Sequence, residues 1–149
     1  MAEQAASFAA FVGLDWADER HEVCLLATEA LLPEKASLEQ EPEAIEDWVA
    51  RIRERFGGRP VAVCLEQARG ALIYALQKYD FLVLFPINPK QLARFREALN
   101  PSGSKNDPVD AQRLAEFVRA FHSQMRRWQA DDPDTRSLRL LSEARRKLV

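Results

Sequence analysis

Four carboxylates in this sequence have the type and placement to hold metal ions. Asp15 closes the apolar run FAAFVGLD, and Glu66 closes the apolar run PVAVCLE. Asp107 and Asp110 follow in KNDPVD, where spacing i, i+3 sets both on one face of a helix. Mg²⁺ takes oxygen ligands and keeps waters and phosphate oxygens in its shell. Two such ions roughly 3.5–4 Å apart can stabilise the attacking and the leaving oxygen of a phosphoryl transfer. Several converging acids are needed to hold them, and without metal those acids repel one another. Each residue also has a structural reading. An acid at a strand end can simply be solvated at the sheet rim. Asp107 makes a good helix N-cap, Pro108 suits the first helical position, and Asp110 is a first-turn acid favoured by the helix dipole.

The elements that must position these acids are legible in the hydrophobic pattern. Phe8 to Asp15 and Arg20 to Ala27 read as strands joined by a tight turn at Asp18-Glu19, hence a hairpin. Ala30 to Gln40 supplies a possible third strand. From Glu43 to Phe56, Ile45, Trp48, Val49, Ile52 and Phe56 fall at helical spacing, and Gly57-Gly58 stops the helix. Pro60 to Glu66 and Phe81 to Ile87 read as buried strands, separated by a helix from Gly70 to Tyr79. Helices follow over Pro89 to Leu99 (Leu92, Phe95 and Leu99 on one face) and over Asp107 to Phe121 (Leu114, Phe117, Val118 and Phe121 inward). The loop Asn100 to Asn106 lies between them. A last helix starts at Asp134 or Thr135, keeps an approximate heptad at Leu138, Leu141 and Leu148, and still runs at Val149. Early hairpin pairing is antiparallel, and strands alternating with helices pair in parallel. The expected fold is therefore α/β, a mixed sheet flanked by helices. Sites in such sheets gather at the carboxyl ends of parallel strands, where Asp15 and Glu66 fall.

Composition sets the outer limits. The 149 residues amount to one domain, and 47% hydrophobic content supports a core. No secretory signal and no bilayer-spanning segment is visible, so the expected location is the cytoplasm. Cys24 and Cys64 sit in apolar strands and read as buried free thiols of a reducing compartment. Two Cys and two His at unrelated spacings argue against zinc. The net charge of −2 conceals an asymmetry: residues 1–66 carry 14 acids and 6 bases, and residues 67–149 carry 9 acids and 15 bases. A basic second half suits a polyanion, although charge alone fits a solvated surface better.

The motifs VGLDWA (Val12 to Ala17), Glu66 followed by Gly70, INPKQLARFREAL (Ile87 to Leu99) and SKNDPVDAQRLA (Ser104 to Ala115) occur in order. With them the chain resembles, from about Phe11 onward, the N-terminal domain of DEDD-type transposases of bacterial insertion sequences, the bridge-RNA-guided recombinases. SKNDPVDAQRLA is the specific motif of the set. The sequence departs from the family at Gln67-Ala68-Arg69-Gly70, where members often carry Thr-Gly soon after the glutamate. The resemblance implies a RuvC-like, ribonuclease-H-like catalytic domain over residues 1–128, with residues 129–149 beginning a helical linker or coiled coil. It implies Asp15, Glu66, Asp107 and Asp110 as ligands of Mg²⁺ or Mn²⁺, two ions. It also implies metal-dependent cleavage and exchange of DNA strands directed by a structured guide RNA, in a dimer or tetramer associated with the bacterial nucleoid. A second domain bearing a nucleophilic serine is implied too, and no segment here matches it, so this chain alone is expected not to recombine DNA.

For the nucleic-acid contacts, Lys105 stands beside the acids, and Arg119, Arg126, Arg127, Arg136, Arg139, Arg145, Arg146 and Lys147 make a basic run around Trp128. Trp128 either stacks on a base or packs at a domain edge. Trp16 and Trp48 read as core. Three rivals remain open. A sugar-kinase or actin-like ATPase shares the strand-end acid but needs a Gly/Thr-rich hairpin, which Asp15-Trp16-Ala17-Asp18 does not supply. A four-acid exonuclease would carry an acid at Ala17. A non-catalytic RNA- or DNA-binding assembly module would use the same acids as rim and cap residues.

Overall fold

Five short runs become the strands of one sheet: four are apolar, whereas the third, EKASLE, has no β-branched or aromatic residue and is exposed except at Leu38. They are β1 (Ala10–Asp15), β2 (Arg20–Ala27), β3 (Glu34–Glu39), β4 (Val61–Glu66) and β5 (Leu82–Ile87). The computed structural model describes residues 8–15, 19–30, 32–66, 70–88 and 111–129, with residues 90, 91, 93, 94 and 97 of a helical stretch after β5. The described helices with printed bounds are α1 (Pro42–Arg55), α2 (Gly70–Gln77) and α3 (Ala111–Phe121), the last followed by a 3-10 turn at His122–Gln124.

The strand order is β3-β2-β1-β4-β5. β1–β2 and β2–β3 are antiparallel, whereas β1–β4 and β4–β5 are parallel. This mixed sheet between helices is the ribonuclease-H-like arrangement that the pattern of a hairpin followed by alternating strands and helices anticipates. Central strands β1 and β4 are buried along their length except at the terminal acid, as strands covered on both faces must be.

Alternation of side chains divides the core into two layers. Val12, Leu14, Val23, Val63 and Leu65 pack with Trp48, Val49 and Ile52 of α1 and Leu72, Ile73 and Leu76 of α2. Phe11, Cys24, Leu26, Ala62, Cys64 and Phe85 pack on the opposite face against Ala111, Leu114, Ala115, Phe117 and Val118 of α3. Both cysteines are free and buried, and the apolar surroundings of Cys64 push its thiol pKa up.

Helix ends follow sequence chemistry. Pro42 opens α1 at its first position. At the other end, Gly57 N–H donates to the Glu54 carbonyl and Gly58 N–H to the Arg53 carbonyl, with φ +63° and +78°. This paired closure needs a left-handed residue, which glycine supplies without a Cβ penalty.

Two expectations change. Phe121 should face inward by helical periodicity but is 38% exposed. The sheet surface it would cover is taken by His122, whose ring centroid lies 5.2 Å from Phe8 and 5.4 Å from Phe11, and Phe121 instead leans on Phe117. Trp128 takes its packing reading. Its backbone N–H donates to the Leu84 carbonyl at 2.8 Å, along the outer edge of β5, and its ring packs partly buried against the α1/α2 layer. Trp48 is core as expected. Trp16, the Asp18-Glu19 turn as a whole, Leu92, Phe95, Leu99, the loop 100–106, the start of the helix at Asp107 and everything beyond Gln129 lie outside the described residues.

Candidate metal centre

Asp15 and Glu66 are the last residues of β1 and β4, each only partly buried after five buried neighbours. The two strands are parallel, and their register includes Val12 with Val63 and Gly13 with Cys64. The pairing ends there, and Asp15 and Glu66 follow two residues further along these adjacent strands, at the same end of the sheet. Both share the pleat face of Gly13 and Cys64, the face that α3 covers. The hydrophobic runs carry these acids to the rim because the buried part of each strand ends just before them.

The helix that follows KNDPVD meets them there. Ala111, the first described residue of α3, is seated over Gly13, and His122, just past its end, sits on Phe8 and Phe11. α3 therefore runs antiparallel to β1, with its N-terminal end toward Asp15 and Glu66. The helix dipole favours negative charge at that end. Asp107 and Asp110 lie outside the described residues, but the chain that contains them leads directly into this end of α3.

A third carboxylate stands at the same end of the sheet. Glu22 of β2 is the register partner of Asp15, on the same face by alternation, and it is exposed. Nothing in the spacing of Glu22 within RHEVCLLA marks it. Only the antiparallel register sets it beside Asp15. Among the described residues no group of three or more His, Cys, Asp or Glu is close enough to hold a metal ion, so Glu22 does not complete a cage with the other two. Asp15 and Glu66 themselves offer carboxylate oxygens at a half-open rim, a hard donor set that fits Mg²⁺ or Mn²⁺ rather than a thiophilic metal.

Among the basic residues expected to meet nucleic acid, the three described ones fall elsewhere. Arg119 is exposed in the last turn of α3, about 12 Å along the helix from Ala111 at 1.5 Å per residue. Arg126 and Arg127 are exposed on the segment that flanks β5. The structure does not bring these three to the acid rim. Arg113, one turn into α3 at the acid end, is exposed and lies 3.7 Å from Glu116. Lys105, Arg136, Arg139, Arg145, Arg146 and Lys147 lie outside the described residues. A cavity of about 250 Å³ lies on the other face of the sheet, between α1 and α2, lined by the buried His21 with Ile45, Leu72 and Tyr79 among others. It is separated by the sheet from the carboxylates and has no part in their chemistry.

The model of the DEDD transposase family of IS110 type, described as Transposase, matches residues 12–149. The chain belongs to this family. A mini-circle protein of Streptomyces coelicolor assigned as the transposase for IS117 is 29% identical over 145 residues, which cover 96% of this chain and 35% of that protein. A Sinorhizobium fredii protein assigned as transposase y4uE is 29% identical over 132 residues, 87% of this chain and 36% of that protein. The chain thus spans about a third of the length of these relatives. The family match begins within β1, so both strand-end acids and the KNDPVD motif fall inside it. No helix among the described residues is long and apolar enough to cross a membrane.

Proposed function

We propose that this domain holds divalent metal for the cleavage and exchange of DNA strands in an IS110-type transposase. The observation that carries the reading is the emergence of Asp15 and Glu66 at the same end of adjacent parallel strands, on the face covered by the end of α3 that the KNDPVD segment precedes in sequence. In this reading Asp15, Glu66, Asp107 and Asp110 hold two Mg²⁺ or Mn²⁺ ions. Bound there, the ions would supply Lewis-acid stabilisation of the oxygens of a scissile phosphodiester. The carboxylates of Asp15 and Glu66 would orient their side of that site from rigid strand ends, and the dipole of α3 would lower the cost of gathering their charge. Arg113, near the acid end of α3, would meet a DNA phosphate in this reading.

The wider activity is proposed on the same footing. A structured guide RNA would direct the domain to its DNA. Arg119, Arg126 and Arg127, remote from the acids, suit nucleic-acid backbone rather than the reacting phosphate, and Lys105, Arg136, Arg139, Arg145, Arg146 and Lys147 would extend or complement that surface. Residues 1–128 would form the catalytic domain and residues 129–149 the start of a helical connection to a serine-bearing domain. Assembly would be as a dimer or tetramer at the bacterial nucleoid.

The test is cleavage by the full-length transposase with its RNA and DNA. Asp15→Asn and Glu66→Gln should each abolish Mg²⁺-dependent cleavage while the isolated domain keeps its wild-type circular dichroism. Glu22→Gln should leave cleavage intact and stabilise the fold by about 0.2–1 kcal/mol, since like charges directly opposite on neighbouring strands repel. Wild-type cleavage by either of the first two variants would remove that residue from the site.

A further inference from the structure

The segment after α3 crosses the outer edge of the sheet. β5 is an edge strand, and the Trp128 N–H donates to its Leu84 carbonyl at 2.8 Å. Met125 packs with the layer under α3, whereas Trp128 packs with the layer under α1 and α2. The two side chains therefore grip β5 from opposite faces, and Arg126 and Arg127 between them are exposed. A backbone pinned in this way lowers the ordering cost when the two guanidinium groups meet an anion. At the start of the same segment, the end of α3 presents an aromatic ring. His122 takes the place over Phe8 and Phe11, and Phe121, 38% exposed, leans on Phe117 with ring centroids 5.2 Å apart. No acid occurs from Phe117 to Gln129, a stretch that carries Arg119, Arg126 and Arg127.

We propose that this turn binds an unpaired nucleic-acid strand, with a base stacked on Phe121 and neighbouring phosphates held by Arg126 and Arg127. The proposal rests on the nucleic-acid reading of these arginines above and names the form of nucleic acid that they take. Arginines alone track the backbone of a duplex as readily as that of a single strand. An accessible ring decides between the two. Bases in a duplex already stack on one another, and only an unpaired base can turn its face to a side chain. Phe121 adds little to the core, since His122 already covers the sheet. An aromatic ring beside exposed arginines is the combination that single-strand binders use. Stacking and phosphate contact are common to DNA and RNA, so the ligand chemistry is that of an unpaired polynucleotide of either kind.

Fluorescence anisotropy follows binding of the protein to labelled oligothymidylate and oligouridylate of about 12 nucleotides, and to a DNA duplex of the same length. The tighter of the two strands names DNA or RNA as the source. Phe121→Leu should bind the single strands at least about fivefold more weakly and the duplex within about twofold of wild type, since phosphate contacts are kept. Phe121→Trp, which keeps an aromatic face, should restore strand binding. A variant with both Arg126→Gln and Arg127→Gln should weaken strand and duplex alike. Wild-type strand binding by Phe121→Leu, with the arginine variant weakened, overturns the stacking role and leaves the nucleic-acid reading standing. An equal loss on strand and duplex in folded Phe121→Leu overturns the assignment to unpaired bases. Wild-type binding of both ligands by the arginine variant overturns the proposal and the reading beneath it. Should Phe121→Leu lose the wild-type circular dichroism, the wild-type protein decides the matter. An oligonucleotide carrying iodouracil, irradiated in the complex, cross-links to an aromatic ring stacked on it. A cross-link at Phe121 supports the proposal, and cross-links confined to other parts of the chain overturn it.

Discussion

Asp107 carries two candidate duties, and they separate by substitution. Asparagine caps a helix about as well as aspartate, whereas alanine costs about 1 kcal/mol. Asparagine is nevertheless a poor ligand for a hard divalent cation. Asp107→Asn should therefore keep or slightly raise metal-free stability, through relief of repulsion among the acids, and lose the rise in unfolding temperature that Mn²⁺ gives a folded-state binder. Asp107→Ala should lose both the metal response and some stability. Thermal unfolding of the two variants with and without Mn²⁺ checks this, and full-length Asp107→Asn that cleaves DNA at the wild-type rate would reduce the residue to a cap. Glu22 shows the opposite case. Its identity says nothing, and its position beside Asp15 arises from strand pairing alone.

Among the elements, the edge strand β3 is tied to α1 by a two-pronged pair. The Arg55 guanidinium donates to both carboxylate oxygens of Glu34, one at 2.7 Å. The hydrogen bond from Arg55 holds the Glu34 carboxyl below its ordinary value, and Glu34 in turn raises Arg55. A carboxylate with a depressed folded-state pKa adds stability above its unfolded value, near 4.5, and loses it as pH falls through the lowered folded value. Arg55 stays protonated throughout that range. The side chains are 44% and 47% exposed, so solvent screening limits the pair to about 0.2–1 kcal/mol. Glu34→Gln should lower the unfolding temperature slightly at neutral pH. The gap from wild type should close on acidification below about pH 4.5 and shrink in high salt. A gap that persists in acid would mean that Glu34 acts through packing instead.

For the whole molecule, Asp15 and Glu66 end β1 and β4, while Arg119, Arg126 and Arg127 lie toward the other end of α3 and along β5. If the latter residues bind nucleic-acid backbone, affinity should fall steeply with salt as counterions are released. Replacing Arg126 and Arg127 with Gln should flatten the slope of log affinity against log salt, by about 0.9 for each lost duplex phosphate contact. Filter binding of the protein to duplex DNA measures that slope, and an unchanged slope would move the contact elsewhere. The same variants should leave Mn²⁺ affinity of the domain unchanged, because neither residue approaches the acid rim.

Much of this protein is written locally. Strand runs such as RHEVCLLA, the helix from Pro42 with its Gly57-Gly58 stop, and the acids that end FVGL and VAVCL are readable because periodicity, capping and burial are short-range properties of the chain. The motif SKNDPVDAQRLA lies within the transposase family match, while spacing alone leaves its acids open between ligand and cap. Pairing and packing lie beyond such patterns. The parallel pairing that makes neighbours of the strands ending in Asp15 and Glu66, the antiparallel register that sets Glu22 beside Asp15, and the choice of His122 over Phe121 to cover Phe8 and Phe11 each depend on residues far apart in sequence. So does Gly13, whose lack of a side chain has meaning only once α3 lies across it. Helical periodicity assigns a face to a residue. Which surface that face meets, and how closely, is set by the joint fit of all the elements in the core.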